Sequence, residues 1–367
     1  MAPSATESTT PITVPEGKLQ SKKPWVKSTG VLSQFESFDT TPIIGREFPN
    51  ANLVSWLQAP NSDELLRELA LTISERGVVF FRAQDNLTAD LQKKLVQQLG
   101  LLSGKPESSG LHIHPILNSE REDYRVSDPE ISTIDSVLAK KLYLDNSKFN
   151  SAHKNQNSGL WHSDIAFEPK PADYSSLRLE VLPETGGDTL WASGYEIYDR
   201  LSTPYQKFLE GLTATFSQPG FIKAAEKGGF GIYEKPRGAP ENVGRELTAV
   251  HPVVRTNPVT GWKSVFPIGS HVSHINEITE LESKALLKWF VRLLVDNHDL
   301  QVRFKWQNVN DIAIWDNRST FHTATNDIAG YGERYGVRTV SVGEAPYFDP
   351  ESRSRREDLA IRAETSS

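Results

Sequence analysis

The sequence predicts an α+β fold with a mainly β core flanked by helices, and three stretches carry that prediction. Residues 174–182 alternate Leu177, Leu179 and Val181 with Arg178 and Glu180, the period of two that marks a half-buried strand. Residues 281–295 place Leu281, Ala285, Leu286, Trp289, Phe290, Leu293 and Leu294 on one wide stripe, as in a helix laid against a core. Near the end of the chain, residues 302–306, 311–315 and 335–342 are short segments of strand length and composition.

The remaining elements follow in chain order. Residues 1–30 are rich in Ser, Thr, Pro and Lys and read as a mobile, disordered arm. Residues 62–77 read as a helix, with Ser62 as its cap, Asp63 and Glu64 at its positive end and Gly77 after its last turn. Residues 78–82 form a short buried strand, and residues 88–99 a second helix that Gly100 stops. Residues 187–191 continue the sheet beyond a turn built on Gly186 and Gly187. Helices are expected over 194–201 and 204–212, and strands over 249–255 and 264–268. Two stretches, 115–160 and 218–247, are long and poorly patterned; the second carries Gly228-Gly229-Phe230-Gly231. Both are expected to lie as mobile segments over the mouth of the core. There is no internal repeat, so residues 31–350 read as a single domain and 351–367 as a charged tail.

Composition narrows the function classes. The chain has 367 residues, a net charge of −7 and no long basic run, which gives nucleic-acid binding no support. It has no cysteine, which removes disulfides, thiolate zinc, Cys-ligated iron–sulfur clusters, thiolate haem and a Cys nucleophile together. No apolar leader opens the sequence and no stretch is long enough to span a membrane. A soluble cytoplasmic enzyme is therefore expected.

The chemistry is carried by His162-Ser163-Asp164, answered by His322, with Arg334 twelve residues later and Arg338 four beyond that. Two imidazoles and a carboxylate are the facial ligand set of non-haem iron(II) oxygenases, which leaves further coordination positions open. On an extended strand His162 and Asp164 share a face, so one strand can supply two ligands and a distant one the third. A guanidinium fork near such a site suits a dicarboxylate. His-x-Asp alone is common, and most histidines in such a pair are structural; the surrounding segments give this one its weight. Trp161 precedes the pair, and Leu182-Pro183-Glu184-Thr185-Gly186-Gly187-Asp188-Thr189-Leu190-Trp191 follows. Later come His251-Pro252-Val253-Val254-Arg255-Thr256 and Asp311-Ile312-Ala313-Ile314-Trp315-Asp316-Asn317-Arg318, the last running into Phe321-His322.

In these segments, in this order from about residue 77 to 350, the chain resembles the taurine/2-oxoglutarate dioxygenase family of Fe(II)-dependent oxygenases, including its fungal sulfonate dioxygenase branch. The resemblance implies a double-stranded β-helix (jelly roll), with helices bracing one face. It implies His162, Asp164 and His322 as iron ligands and Arg334 with Thr189 as the clamp on the distal carboxylate of 2-oxoglutarate. His114, Ile165 and Arg338 fall at the substrate, with Arg338 gripping its anionic group. Fe(II), 2-oxoglutarate as co-substrate and O2 follow, with ascorbate as a stimulant. The partner is a small anionic organic molecule, and a homo-oligomer (dimer or tetramer) is common among such enzymes. Related halogenases leave the carboxylate position small, so Asp164 points to hydroxylation, desaturation or cyclisation instead. Ser158 and Phe266-Pro267-Ile268-Gly269 depart from the asparagine-bearing stretches of the bacterial taurine enzymes, which argues against taurine itself. A silent ligand-binding barrel or a zinc hydrolase could use the same triad, but Arg334 and Thr189 would then lack a purpose. Gly330-Tyr331-Gly332-Glu333-Arg334-Tyr335-Gly336 has the wrong spacing for a dinucleotide loop. His112, His153, His251, His271, His274 and His298 carry no metal role in this reading.

Overall fold

Alternation along the central strands decides how the layers stack. The structure is a computed structural model that describes residues 26–118, 126–142 and 160–366. Most of the expected arm, residues 119–125 and 143–159 of the first long segment, and with them His153 and Ser158, lie outside the described residues.

The chain opens with β1 (Phe38–Asp39), β2 (Arg46–Phe48), α1 (Leu53–Gln58), α2 (Ser62–Arg76), β3 (Val78–Phe81) and α3 (Ala89–Leu102). The middle holds β4 (Ser132–Asp135), α4 (Ser136–Leu142), β5 (Ala172–Val181), β6 (Thr189–Ser193), α5 (Gly194–Asp199) and α6 (Thr203–Leu209). Then come β7 (Thr213–Ser217), α7 (Pro219–Gly228), β8 (Thr248–Pro252), β9 (Val254–Thr256), β10 (Lys263–Val265) and β11 (Val272–Ile275). Helix α8 (Glu280–Val295), β12 (Gln301–Phe304), β13 (Ile312–Asp316), β14 (Thr320–Ala324), β15 (Tyr335–Val342) and α9 (Arg355–Ser366) complete the order.

A seven-stranded sheet runs β1-β2-β3-β13-β5-β15-β4, and a three-stranded sheet runs β12-β6-β14. Val78 and Phe80 of β3, Leu177 and Leu179 of β5, and Ala313 and Trp315 of β13 pack in one cluster with Trp191, Val302 and Phe304 of the smaller sheet. Their neighbours Val79, Phe81, Ile312 and Ile314 turn to the opposite face, where Leu65, Leu69, Ile73, Leu95, Val96 and Leu99 of α2 and α3 cover them. Strand β3 thus reads as an unbroken apolar run because both of its faces are buried. The outer face of the smaller sheet, through Ala192 and Phe321, packs on α5, α6 and α8 residues including Ile197, Leu209, Phe290 and Leu294. Helices therefore cover both outer faces, where bracing on one face was expected. No helix among the described residues is long and apolar enough to cross a membrane.

Several local expectations change. Helix α2 begins after Asn61, not Ser62, because the Ala59–Ser62 turn (Ser62 N–H to Ala59 O, 3.0 Å) has already started the helical course. Helix α3 runs through Gly100 to Leu102. A side chain at Gly100 would meet Asp173 Oδ2 and Lys105 Cδ at 2.6 Å, so this glycine permits close packing and stops nothing. On α8, Leu281 is 81% exposed and Ala285 is exposed too, leaving a buried face of Ser283, Phe290 and Leu294. Strand β6 belongs to the smaller sheet and does not continue the one containing β5. Part of the first poorly patterned stretch is β4, paired with β15, and part of the second is α7. Residues 355–366 of the expected charged tail form α9, whose Asp358 accepts a hydrogen bond from Trp262 Nε1 at 2.9 Å.

Candidate metal centre

His162 is held by a single bridge rather than by a strand. Its N–H donates to His322 O at 3.1 Å and accepts in return at its own carbonyl from His322 N–H at 2.8 Å. The chain then turns through Asp164–Phe167, so the expected extended pairing reduces to one residue. The ligand geometry survives because β14 brings His322 alongside. The two rings lie 4.2 Å apart, Asp164 Oδ1 is 3.9 Å from His162 Nε2 and 3.8 Å from His322 Nε2, and one ligand atom from each of the three lies within 4.8 Å of the others.

The protonation states suit a cation. His162 Nδ1 lies 2.8 Å from Leu160 O; a carbonyl only accepts, so the proton sits on Nδ1 and the lone pair on Nε2. Burial lowers the pKa of both histidines, which keeps them neutral. Burial alone would raise the Asp164 carboxyl, but Arg338, His322, His162 and the Ser175 hydroxyl together hold it well below the usual carboxylate range. Two neutral nitrogens and one ionised oxygen fit a divalent metal of the iron(II) class. Supporting contacts orient the carboxylate: Ser175 Oγ donates to Asp164 Oδ2 (2.8 Å), Asn317 Nδ2 donates to Ser175 Oγ (2.8 Å), and Asn317 Oδ1 accepts from Asp164 N–H (3.0 Å). The Trp315 ring lies 4.8 Å from that of His322.

Gly269 makes the approach possible. A Cβ there would stand 1.8 Å from Trp161 O and 3.2 Å from His162 Cα, at a φ of +96°. Gly269→Ala is expected to displace His162 and cost about 3 kcal/mol or more. Thermal unfolding and metal retention would show it; an unchanged Tm with full metal content would mean the loop yields freely.

Arg334 and Thr189 come together as expected. Arg334 Nε donates to Gly187 O (2.9 Å) and Nη2 to Thr189 Oγ1 (3.2 Å), and Trp306 Nε1 donates to the same hydroxyl oxygen (3.2 Å). Both lone pairs of Thr189 Oγ1 are thereby engaged, so its proton is left to donate to another acceptor. Arg334 is buried, and burial pushes its pKa down to about 10. Among the described residues no carboxylate lies within ion-pair distance; Asp188, the nearest influence, is paired with Arg303 at 2.7 Å. A buried guanidinium in this state calls for an anionic oxygen.

The residues expected at the substrate are placed less simply. Arg338 Nη1 donates to Asp164 Oδ1 at 2.8 Å and Nε to Ser132 Oγ at 3.1 Å, so part of its fork is already engaged by the carboxylate of the His-Asp-His cluster. His114 is buried, with Nδ1 accepting from Ile116 N–H (3.2 Å) and Leu117 N–H (3.0 Å). Ile165 is buried directly after Asp164 at a φ of +47°, a strained conformation for a β-branched residue. Sequence reasoning assigned no role to Ser175, Asn317, Ser132, Trp306 or His271. The His271 ring meets the His162 ring at 5.6 Å, and burial pushes its pKa down to about 3. His112 and His251 lie outside the centre: the first joins a buried pair of Glu168 with Arg237, and the second bonds to Ala166 O and Glu168 O.

Comparisons place this arrangement among known proteins. Residues 36–340 match the family described as Taurine catabolism dioxygenase TauD, TfdA family. The alpha-ketoglutarate-dependent dioxygenase btcD of Neocamarosporium betae is 54% identical over 340 residues, covering 90% of this chain and 97% of that protein; alpha-ketoglutarate is another name for 2-oxoglutarate. An alpha-ketoglutarate-dependent sulfonate dioxygenase of Saccharomyces cerevisiae is 31% identical over 322 residues, 87% of this chain and 69% of the yeast protein. The crystal structure of a taurine dioxygenase from Burkholderia xenovorans superposes with a TM-score of 0.62 at 25% identity, covering 87% of this chain and 94% of that one.

Proposed function

The chain belongs to the TauD/TfdA family and is a 2-oxoglutarate-dependent non-haem iron dioxygenase, and from that premise we propose that it oxidises a C–H bond of a small organic anion, a carboxylate or sulfonate. The charge balance of the pocket carries this reading. Asp164 contributes one negative charge, Arg334 and Arg338 one positive charge each, and the neighbouring histidines are neutral. A divalent metal and a dicarboxylate co-substrate cancel each other, so one positive charge is left over. A monoanionic substrate neutralises it, and a buried net charge is otherwise costly.

In this reading His162, Asp164 and His322 hold iron(II), and Arg334 and the Thr189 hydroxyl hold the distal carboxylate of 2-oxoglutarate. When bound, iron, 2-oxoglutarate and O2 would supply the oxidising chemistry, with succinate and CO2 as the co-products of a two-electron oxidation of the substrate. The protein's own work is positioning. Ser175 and Asn317 aim Asp164, while buried Trp161, Phe167 and Ile165 exclude water from one side. His114 and Arg338 line the substrate side, and the two packed sheets are read as the double-stranded β-helix that the family resemblance implies.

Arg338→Ala is expected to raise the substrate KM about ten- to a hundredfold, from the loss of a hydrogen bond to a charged group, while the 2-oxoglutarate KM moves far less. If Arg338 serves only Asp164, the loss would fall on iron affinity and kcat, with the substrate KM unchanged. The function itself is tested by succinate release from 2-oxoglutarate with Fe(II) and ascorbate over taurine, alkanesulfonates, amino acids and aryloxy acids. Sulfite release with a sulfonate would support hydroxylation next to sulfur. Stimulation only by carboxylates would support hydroxylation, desaturation or cyclisation in a biosynthetic role. Stimulation only by uncharged compounds would overturn the anionic reading. Phe266 and Ile268 lie in an apolar core cluster, which weighs against taurine, whose amine would need polar partners near this stretch.

A further inference from the structure

His271 stands against the metal centre, yet nothing in the chemistry above uses it. Its ring lies edge-on to that of His162 at 5.6 Å and to that of Phe167 at 5.2 Å. The backbone pins it there. Ser270 N–H donates to Trp161 O at 3.0 Å, and Ser217 N–H donates to His271 O at 2.8 Å. The residue before His271 is therefore bonded to the residue before His162, which fixes the relation of the two imidazoles.

The position of its proton is fixed as well. Gln218 Oε1 accepts Gly220 N–H at 3.2 Å, which turns the amide nitrogen toward His271, where Nε2 lies 2.9 Å from Nδ1. An amide nitrogen only donates, so His271 Nδ1 accepts and its proton resides on Nε2. Gln218 is itself anchored, its N–H donating to Leu247 O at 2.9 Å. His114 has the same form on its own side: Nδ1 accepts two backbone N–H groups, which leaves the proton on Nε2. Asp164 and Arg338 act electrostatically on both rings, so both donors stand near the same charges. No described residue accepts from His271 Nε2–H.

We propose that His271 is a substrate-binding residue whose Nε2–H donates to an oxygen of the substrate's acidic group, with Gln218 as the positioning residue that sets its tautomer. The proposal rests on the anionic-substrate reading above and narrows it. Once a bound substrate covers this donor, an analogue that lacks an oxygen at that point leaves it without an acceptor, so the site discriminates against such analogues. His271, two residues beyond the Phe266-Pro267-Ile268-Gly269 stretch, thus supplies one polar group to the pocket.

The test compares His271→Phe, which keeps an aromatic ring for Phe167 and removes the donor, with His271→Gln, whose amide nitrogen reaches the Nε2 position. Each full-length variant is assayed with the panel anion that best stimulates the wild type, and 2-oxoglutarate binding to the Mn(II)-loaded protein is measured by calorimetry. His271→Phe is expected to raise the substrate KM about tenfold, with recovery to within about threefold in His271→Gln. The calorimetric Kd for 2-oxoglutarate should stay within about twofold of wild type in both. A wild-type substrate KM in both variants would overturn the proposal and leave the anionic reading intact. Equal losses in both variants, extending to 2-oxoglutarate binding, would assign His271 a purely structural role and overturn it too. A wild type that no anion of the panel stimulates would overturn the anionic reading and this inference together.

Discussion

Replacing His162 by alanine is expected to abolish iron binding and, with it, substrate-stimulated release of succinate. Two donors would remain, Asp164 and His322, and the lost one is a neutral nitrogen already turned toward the site by the Leu160 carbonyl. Loss of a partner behind a metal ligand costs about 10–100-fold in metal affinity, and loss of a ligand itself should exceed that. The apo fold should hardly notice. The backbone bridge to His322 is kept, and the His162 side chain is 25% exposed, so the change in unfolding free energy should stay within about 1–2 kcal/mol. Metal-induced stabilisation separates the two effects: about 2.7 kcal/mol at a metal concentration a hundred times Kd in the wild type, and none in the variant. Asp164 would be a poorer probe. Its removal strands the buried Arg338 guanidinium, which can cost about 3–5 kcal/mol by itself. A His162→Ala protein that keeps its metal-dependent Tm gain and its succinate release would remove His162 from the centre.

The family, and with it the activity class, was legible because its signals are local and ordered. His162, Asp164, Thr189, His322 and Arg334 each sit in a short distinctive segment, and the comparisons bear out the family those segments suggested. The residues that support them were not legible. Ser175 reads as a small residue in an alternating strand, and nothing short of the β5–β13 pairing shows that it faces Asp164. Asn317 lay in a noticed segment, but its role depends on a bond to Ser175 that spans 142 residues. A distant strand was expected to bring in His322, but β14 was given no bounds because Thr320-Phe321-His322-Thr323-Ala324 carries a weak alternating pattern, although it delivers the third member of the His-Asp-His cluster. The opposite error occurred on α8. Leu281 fits the apolar stripe by period, yet it stands in the first turn beyond the reach of the core. Gly100 shows the limit of reading glycine as punctuation, since here it makes room for Asp173 and Lys105 inside a helix. His271 had no signal at all: its meaning comes from Gly269 and Ser270 folding back on Trp161.

Arg334→Met is expected to weaken 2-oxoglutarate severely while leaving the apo protein at least as stable as the wild type. The two effects have opposite signs because the same charge is costly in one state and used in the other. Without the co-substrate, the guanidinium is buried against Gly187 O and Thr189 Oγ1 with no carboxylate partner among the described residues. At neutral pH it stays charged, since its lowered pKa of about 10 is still far above the medium. The folded state therefore carries the full desolvation cost through the physiological range and would be relieved only above that pKa. Methionine fills a similar unbranched volume without the charge, so the apo Tm should hold or rise. With the co-substrate, losing the arginine forfeits charge-assisted hydrogen bonds worth about 3 kcal/mol in all, roughly a hundredfold in the 2-oxoglutarate KM. Lysine would restore the charge but not the fork, so Arg334→Lys should recover only part of that loss. The packing is equally exact on the other side, where a Cβ at Gly187 would approach Arg334 Cδ to 2.9 Å. Gly187 is thus needed both for its positive φ of +70° and as the floor on which the arginine lies. A variant with an unchanged 2-oxoglutarate KM and a lower apo Tm would reverse the assignment, making Arg334 a structural residue held by Thr189. The apo Tm is the sharper half of the test, because loss of a structural arginine would lower it.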